Sequence, residues 1–598
     1  MQKRIPFALF SMILAAGMAR AGCAQLLSSQ PSAFLRSFAS SPVDWLPWGE
    51  AAFARARQEQ KPVFLFVGSF TNELAGAMRR QSFANPKSAE WLNKYFVCVI
   101  VDRDERPDVA ALYQAYISDV KQLGGWPLNV WLTPEFLPFE GASYLSPSED
   151  WGAPGFLKLA NQAESAWVAD PAACRRRAAE AKAQIVADTG PAPKAWDAAK
   201  AKAQLVTADA AWKAVYDAEH GGFGDAPRNP EPELIRFLLT QAAGDRGEAL
   251  ASLRSLARSA VRDPLDGGFF RYANDASGRI PYPQKTLSDQ ARIALAFLAG
   301  AQGPDAPEFG VCTRGALDYA LARLARPDGT FSASVDATAD DYAAYYSWTA
   351  AEIDAVLGPD AAAFKAAHGV EAHGNVPQDD DPSGTYAGRN FLRDGARAAA
   401  PGSAEQRLLA ARERRPAPLR DDRASAGAHG LLIDALARAG SQLGEPRYLD
   451  AARRIAHAVE DAFILKDGSV RRFAGSNLPA APEDYAALAL GFHDLAKATG
   501  DRRAGSQGGA LLRRLDSLFY DPAGGRYFAC DATGAAALFA RPHAAGESPS
   551  AECLAVVARA EHAPAIASAL SLSLQEASAQ APGDQLLALG AYAANPAP

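Results

Sequence analysis

The segment Pro62–Val67 reads PVFLFV, an apolar run with no polar residue inside it. Alternation would mark a strand with one wet face. A continuous apolar run marks a strand covered on both faces, as in a sheet flanked by helices. The surrounding chain supplies the helices: EAAFARARQEQK (Glu50–Lys61), SAEWLNKYF (Ser88–Phe96) and VAALYQAYI (Val109–Ile117). A second strand is VCVIV (Val97–Val101), with Cys98 inside it. LGGWPLNVWLTP (Leu123–Pro134) adds a glycine turn, a Trp126-Pro127 step and a third strand. A proline that opens a strand beside a turn makes Pro127 a candidate for the cis isomer. Residues 41 to about 150 therefore read as an α/β domain.

The pattern changes near Ala195. Alanine-rich helices now alternate with short glycine–aromatic turns: HGGFGD at His220, DGGFFRY at Asp266, DGTFSA at Asp328, DGSVRRF at Asp467 and AGGRYF at Ala523. Neighbouring turns lie roughly 45 to 60 residues apart, with one longer interval, as one helical hairpin plus a connection requires. In SDQARIALAFLAG (Ser288–Gly300), Ala291, Leu295 and Leu298 continue the helical face begun by Leu287. A closed ring of helical hairpins accounts for both features, with its loops gathered at one mouth where ligands bind.

A chain of 598 residues is too long for one ordinary core. A net charge of −7 leaves no footprint for nucleic acid. The N-terminus reads as a signal peptide over residues 1–21: Lys3 and Arg4, an apolar run from Ile5 to Met18, then Ala19-Arg20-Ala21. The mature chain then has no transmembrane helix and is exported, periplasmic or secreted. Cys23 raises a lipid anchor as the second choice, because Arg20 stands where such a site prefers a Leu-like residue. The six cysteines are scattered and form no Cys-x-x-Cys. No metal-ligand spacing, phosphate-binding glycine loop or Gly-x-Ser-x-Gly elbow occurs, so the sequence implies no metal and no cofactor.

The turn after the first strand reads Thr71-Asn72-Glu73-Leu74-Ala75. It carries no sulfur where a redox protein places a dithiol at a helix N-terminus. Three longer stretches, SPVDWLPWGEAAFARARQEQKPVFLFVG, VDRDERPD and GGWPLNVWLTPEFLPFEGASYLSP, resemble the thioredoxin-like domain of the spermatogenesis-associated protein 20-like family. In that family the turn reads Ser-Thr-Cys-His-Trp-Cys-His. Its two cysteines fall on Asn72 and Ala75, and its histidines on Glu73 and Gly76. The resemblance thus implies a thioredoxin fold with degenerate redox positions. Asn72 remains a favoured helix N-cap.

The resemblance continues through YDAEHGGFGDAPRNPEPELIRFLL, DPLDGGFFRYANDASGRIPYPQKTLSDQA, YYSWTAAEIDAVLG, PLRDDRASAGAHGLL and GESPSAECLAVVARA, and covers about residues 30 to 590. It implies a second domain of the six-hairpin glycosidase type. The expected fold is multidomain: a thioredoxin-like α/β domain over 30–165, a helical linker over 166–203 and an all-α (α/α)6 toroid over 204–598. The family block His-Phe-Glu-Lys-Met-Leu-Tyr-Asp corresponds to Tyr282–Asp289; its histidine and glutamate are gone, and Lys285 and Asp289 remain. The Asp-Asp-Lys…Trp-Asn-Gly block becomes Asp421-Asp422-Arg423…Ala428-His429-Gly430.

Asp289, Asp421 and Asp422 are the candidate catalytic carboxylates, since glycoside chemistry needs two carboxylates across one bond. Carboxylates beside arginines also serve as caps and ion pairs. Arg271, Tyr272, Tyr282, Lys285, Trp348 and His429 are candidate ligand contacts at the mouth of the ring; Arg271 and Lys285 either bind an anion or pair with Asp289. The leading reading is an exported thioredoxin-like protein without dithiol redox activity, whose toroid binds a small molecule such as a carbohydrate. The alternatives are a carbohydrate-active hydrolase or epimerase, and a scaffold that docks a protein at the thioredoxin-like face.

Overall fold

The computed structural model describes residues 22–149, 154–187, 198–241, 246–336, 342–382, 384–395, 397–536, 538–543, 550, 553–554 and 582–594. The signal-peptide reading lies outside them. The chain forms two compact units. The first is Met1–Pro191 with Phe528–Ala545; the second is Ala192–Tyr527 with Gly546–Pro598.

The first unit is thioredoxin-like. Its helices are α1 (Ala33–Ser37), α2 (Glu50–Glu59), α3 (Glu73–Met78), α4 (Pro86–Tyr95), α5 (Pro107–Ala115), α6 (Phe156–Ala169) and α7 (Pro171–Ala187). Its strands are β1 (Leu46–Pro47), β2 (Val63–Gly68), β3 (Val97–Asp102), β4 (Leu128–Leu132) and β5 (Pro138–Ala142), in the order β1-β3-β2-β4-β5. β1, β3 and β2 run parallel; β4 and β5 run antiparallel to their neighbours. The apolar run of β2 is buried on both faces, as its sequence requires. Phe64 and Phe66 pack with Trp45 and Phe83 on one side, and Val63, Leu65 and Val67 pack with Val99, Val101 and Tyr113 on the other.

Two segments extend this unit beyond the strand–helix rhythm. Helix α7, which falls in the segment read from sequence as a linker, packs on β5 and buries Cys174, Ala178 and Ala181. Phe528–Ala545 also belongs to the unit: Leu538 and Phe539 pack against the second face of the sheet, and the Phe539 ring lies 6.0 Å from Tyr113 in an edge-on contact.

The second unit is an α/α toroid built from α8 (Ala198–Ala214), α9 (Pro232–Thr240), α10 (Gly247–Arg258), α11 (Leu287–Gly300), α12 (Ala306–Arg323), α13 (Ala426–Gln442), α14 (Pro446–Ala462), α15 (Pro482–Thr499), α16 (Arg502–Phe519) and α17 (Gly583–Ala594). Helices α17, α9, α11, α13 and α15 follow one another as the inner layer, and α8, α10, α12, α14 and α16 pack outside them. Burial separates the layers: thirteen of the 17 residues of α13 are buried, against six of the 17 of its outer neighbour α14. Glycines let the inner helices touch. A Cβ at Gly430 would lie 2.3 Å from the Ala487 carbonyl carbon, and one at Gly491 would lie 2.4 Å from the Gly430 oxygen.

The helical toroid also carries a short sheet that the sequence did not show. The unit carries an antiparallel sheet of β6 (Gln284–Thr286), β7 (Ser334–Asp336) and β8 (Leu419–Asp421), joined in that order. Strands this short leave no periodic signal in a sequence. The sheet has a positional role: through β7 it sets Lys285 and Asp421, from blocks far apart in the chain, on one scaffold.

Candidate functional site

The register of the first sheet gathers three loops at one end. Val67 pairs with Leu128, and Gly68 pairs with Asp102. The Ser69–Asn72 turn, the loop after Asp102 and the Trp126–Pro127 step therefore lie together. The Arg103 amide donates to the Gly68 carbonyl at 2.7 Å, and its guanidinium lies 4.7 Å from the Trp126 ring centre. The Trp126–Pro127 bond is cis, as is Ala226–Pro227. Asn72 begins α3 as its N-cap, its side-chain oxygen accepting the Ala75 N–H at 2.8 Å. Ala75 is fully buried, and Leu74 beside it is 43% exposed.

Cys98 does not reach this end to replace the missing pair. All six cysteines are free and buried. Cys98 is the second residue of β3 and pairs with Phe64, whereas Asp102 closes the strand at the turn. Four residues of strand separate the two, roughly 13 Å at the rise of a β-strand. Burial also pushes the Cys98 thiol far up, away from the thiolate that exchange requires.

In the second unit most sequence candidates are consumed by partners. Lys285 is fully buried and donates to Asp263 and Asp266, each at 2.8 Å, not to Asp289. Arg412 completes the cluster, donating to Asp263 at 2.6 Å and Asp266 at 2.8 Å. The Lys285 ammonium also lies 4.6 Å from the Phe270 ring centre and 4.7 Å from that of Tyr319. Asp421 is buried and held by Arg423, whose Nη2 donates to it at 2.5 Å. Asp422 accepts from the Ser332 hydroxyl at 2.9 Å and from Arg420 Nε at 3.1 Å, with its side chain 70% exposed. The two neighbours thus have separate duties and do not face each other across a ligand. Arg271 donates to Gln284 at 3.0 Å. Tyr272 and Tyr282 stack with ring centres 4.5 Å apart. Trp348 is buried, with the Arg415 guanidinium 3.8 Å from its ring centre.

His429 is fully buried and engaged at both ring nitrogens. Nε2 accepts the Phe331 N–H at 2.9 Å, which places the proton on Nδ1, 2.6 Å from the Ser425 carbonyl. Burial pulls its pKa down to about 4. It is a neutral bridge between segments, with no lone pair left for a substrate proton. Asp289 differs from the other candidates. It lies 3.7 Å from Arg292, and its Oδ2 is buried without a hydrogen-bond partner. Among the described residues no group of three or more His, Cys, Asp or Glu side chains is arranged to hold a metal ion.

Comparison with known proteins agrees with this architecture. A family model named Thioredox_DsbH, described as "Protein of unknown function, DUF255", matches residues 24–186. Spermatogenesis-associated protein 20 from Homo sapiens is 31% identical over 567 residues, covering 85% of this chain and 71% of that protein. The chain belongs to the spermatogenesis-associated protein 20 family. The Mus musculus member is 30% identical over 568 residues, with the same coverage. An uncharacterized protein of Caenorhabditis elegans, B0495.5, is 28% identical over 85% of this chain and 76% of its own. Among solved structures, a D-mannose isomerase aligns at 13% identity over 64% of this chain and 87% of its own, with a TM-score of 0.39. A GH76 alpha-mannanase from Bacteroides thetaiotaomicron aligns at 10% identity over 66% and 95%, with a TM-score of 0.38.

The inner helices of this spermatogenesis-associated protein 20 relative carry a second set of charges that the family's blocks do not single out. Glu233, Arg236, Arg292, Asp434, Arg438 and Asp494 stand on the inner helices α9, α11, α13 and α15. Each interrupts an apolar stretch, as Asp434 does in GLLIDALARAG. That interruption was the available signal: a charge on a buried helix must find a partner or a solvent-lined space.

Proposed function

We propose that this chain is a non-redox member of its family: a thioredoxin-like unit that exchanges no disulfides, joined to a helical toroid that binds a small polar ligand of the carbohydrate class. The observation that carries the first half is the Asn72–Ala75 hydrogen bond, which occupies with an amide and a methyl group the two positions where dithiol exchange needs sulfur. The second half is supported by polar side chains set on otherwise buried inner helices, since a ligand pocket pairs apolar walls with a few placed polar groups. The basic start, apolar run and Ala19-Arg20-Ala21 step support export to the periplasm or medium.

An insulin-reduction assay of the full chain with dithiothreitol as electron donor tests the redox half. The expected rate equals the rate without protein; catalysed turbidity at substoichiometric protein would defeat the reading. A catalytic reading of the toroid retains one favourable observation, the unpartnered Asp289 Oδ2. It requires that Asp289→Asn abolish turnover of a glycoside or free sugar while the protein stays folded.

A further inference from the structure

Between the DGSVRRF turn at Asp467 and the outer helix α16 lies a recess of about 310 Å³. Asp467 and Gly468 line it from the turn, and Gln507, Arg513, Arg514 and Ser517 line it from the helix. Gln507, Arg514 and Ser517 stand at i, i+7 and i+10, which is one face of an α-helix. Arg513 joins them by folding back along the helix, since a Cβ at Gly509 would lie 3.4 Å from its Nη1. The recess belongs to the outer layer of helices and not to the inner one.

The arginines on either side of this recess are spent. Arg503, at the start of α16, donates to Glu460 at 2.7 Å, and Arg472, at the end of the turn, donates to Asp484 at 2.7 Å. Among the described residues, Gln507, Arg513 and Arg514 make no side-chain hydrogen bond and no ion pair. Arg513 is exposed and Arg514 is half-buried. The Arg514 Nε is enclosed by protein without an acceptor, so the Nη groups are what this side chain presents to the recess. Asp467 is the one carboxylate in the lining, and it is turned into its own turn. Its Oδ1 accepts the Ser469 N–H at 3.1 Å and the Ser469 hydroxyl at 2.6 Å. Two guanidiniums against one carboxylate leave the lining one positive charge in excess, on a chain whose net charge is −7. Guanidinium groups take a carboxylate or a phosphate through parallel N–H bonds, and the Gln507 amide adds a neutral donor. One negative charge restores the balance.

We infer that the recess between the Asp467 turn and α16 is an anion-binding site, in which Arg513, Arg514 and Gln507 hold the oxyanion group, carboxylate or phosphate, of a small molecule. The inference does not depend on the carbohydrate reading of the toroid, because none of these residues lies on an inner helix.

The test is titration calorimetry and thermal melting of the full chain with sodium acetate and sodium phosphate as probes, against sodium chloride at equal ionic strength. At least one of the two oxyanions is expected to bind and to raise the melting temperature above its value in chloride. Preference for acetate supports a carboxylate-bearing ligand, and preference for phosphate supports a phosphate-bearing one. Arg513→Gln and Arg514→Gln are each expected to weaken that binding about tenfold, the loss of one charged hydrogen bond. Asp467→Asn keeps an acceptor for Ser469 and removes the negative charge, so it is expected to tighten binding about threefold, as a partly exposed charge allows. Where Arg514→Gln fails to fold, the exposed Arg513 carries the test. Oxyanion binding that survives both arginine variants overturns the placement. Weaker binding in Asp467→Asn overturns the charge argument. Failure of both oxyanions to act beyond chloride overturns the site.

Discussion

The Asn72 side-chain oxygen accepts the backbone N–H of Ala75 at 2.8 Å, so the two residues that stand at the family's dithiol positions hold each other. The bond satisfies one of the amides that every helix start leaves unpaired. A thiolate at the same position would gain from the same helix end, which is how thioredoxin-like proteins activate it. Here the electrostatic advantage of α3 is spent on capping.

Replacing Asn72 with alanine is expected to cost about 1 kcal/mol, the usual loss of an N-cap. Asn72→Ser and Asn72→Asp should cost far less, because each keeps an acceptor. Urea unfolding monitored by circular dichroism reads the difference; an unchanged midpoint for Asn72→Ala would show that the cap carries no stability.

His429 makes the protein acid-sensitive. Its folded pKa of about 4 lies below the ordinary value of 6.5, so the unfolded chain binds the proton more tightly. The stability it contributes is complete above pH 6.5 and is lost as pH falls toward 4, roughly 3 kcal/mol in all. His429→Gln is expected to flatten that limb of the stability curve. His368 has the opposite sign: against the cost of burial, its hydrogen bond to Glu405 and the nearby Asp394 carboxylate raise its pKa. Its contribution is present below pH 6.5 and is lost as pH rises through the raised value, so His368→Gln should flatten the upper limb.

Lys285→Met would leave Asp263 and Asp266 buried with Arg412 as their one remaining cation in the cluster. Breaking a buried ion pair from one side costs roughly 3 to 5 kcal/mol, because an uncompensated charge stays behind. The expected result is a large fall in melting temperature. A variant as stable as the parent would refute the role of Lys285 as the centre of this cluster.

Gly430→Ala would place a methyl group on the Ala487 peptide, where backbone and not a flexible side chain must yield. Overpacking of this kind costs about 1 to 3 kcal/mol, with more for a rigid neighbour. Loss of soluble protein, or a melting temperature lowered by several degrees, is the expected outcome. Gly444→Ala, with open space around the added Cβ but a positive φ of 66°, should cost less and act through backbone strain alone.

Much of the fold was legible because its signals are local. An apolar hexapeptide bounded by helical stretches has few folds open to it, and β2 is covered on both faces as that rule requires. The resemblance blocks placed the Trp126–Pro127 step and the Asn72 turn in one domain, and the strand register brings them together. The toroid candidates were less legible. Lys285 and Asp289 stand close in sequence, and a pairing between them was one of the readings; the structure pairs Lys285 with Asp263, Asp266 and Arg412 instead.

The sequence by itself determined the long strands of the first sheet and the helices beside them, and that no sulfur stands at Asn72 or Ala75. Those properties belong to short windows and to residue identity. The tertiary structure alone decided which charges are spent and which are left over. Arg412 reaches Asp263, the Phe331 N–H reaches His429, and Phe528–Ala545 returns to the first unit. The physical reason is common to all three: an electrostatic or packing partner is set by distance in space, and the helical toroid and the returning segment bring together residues far apart in the chain.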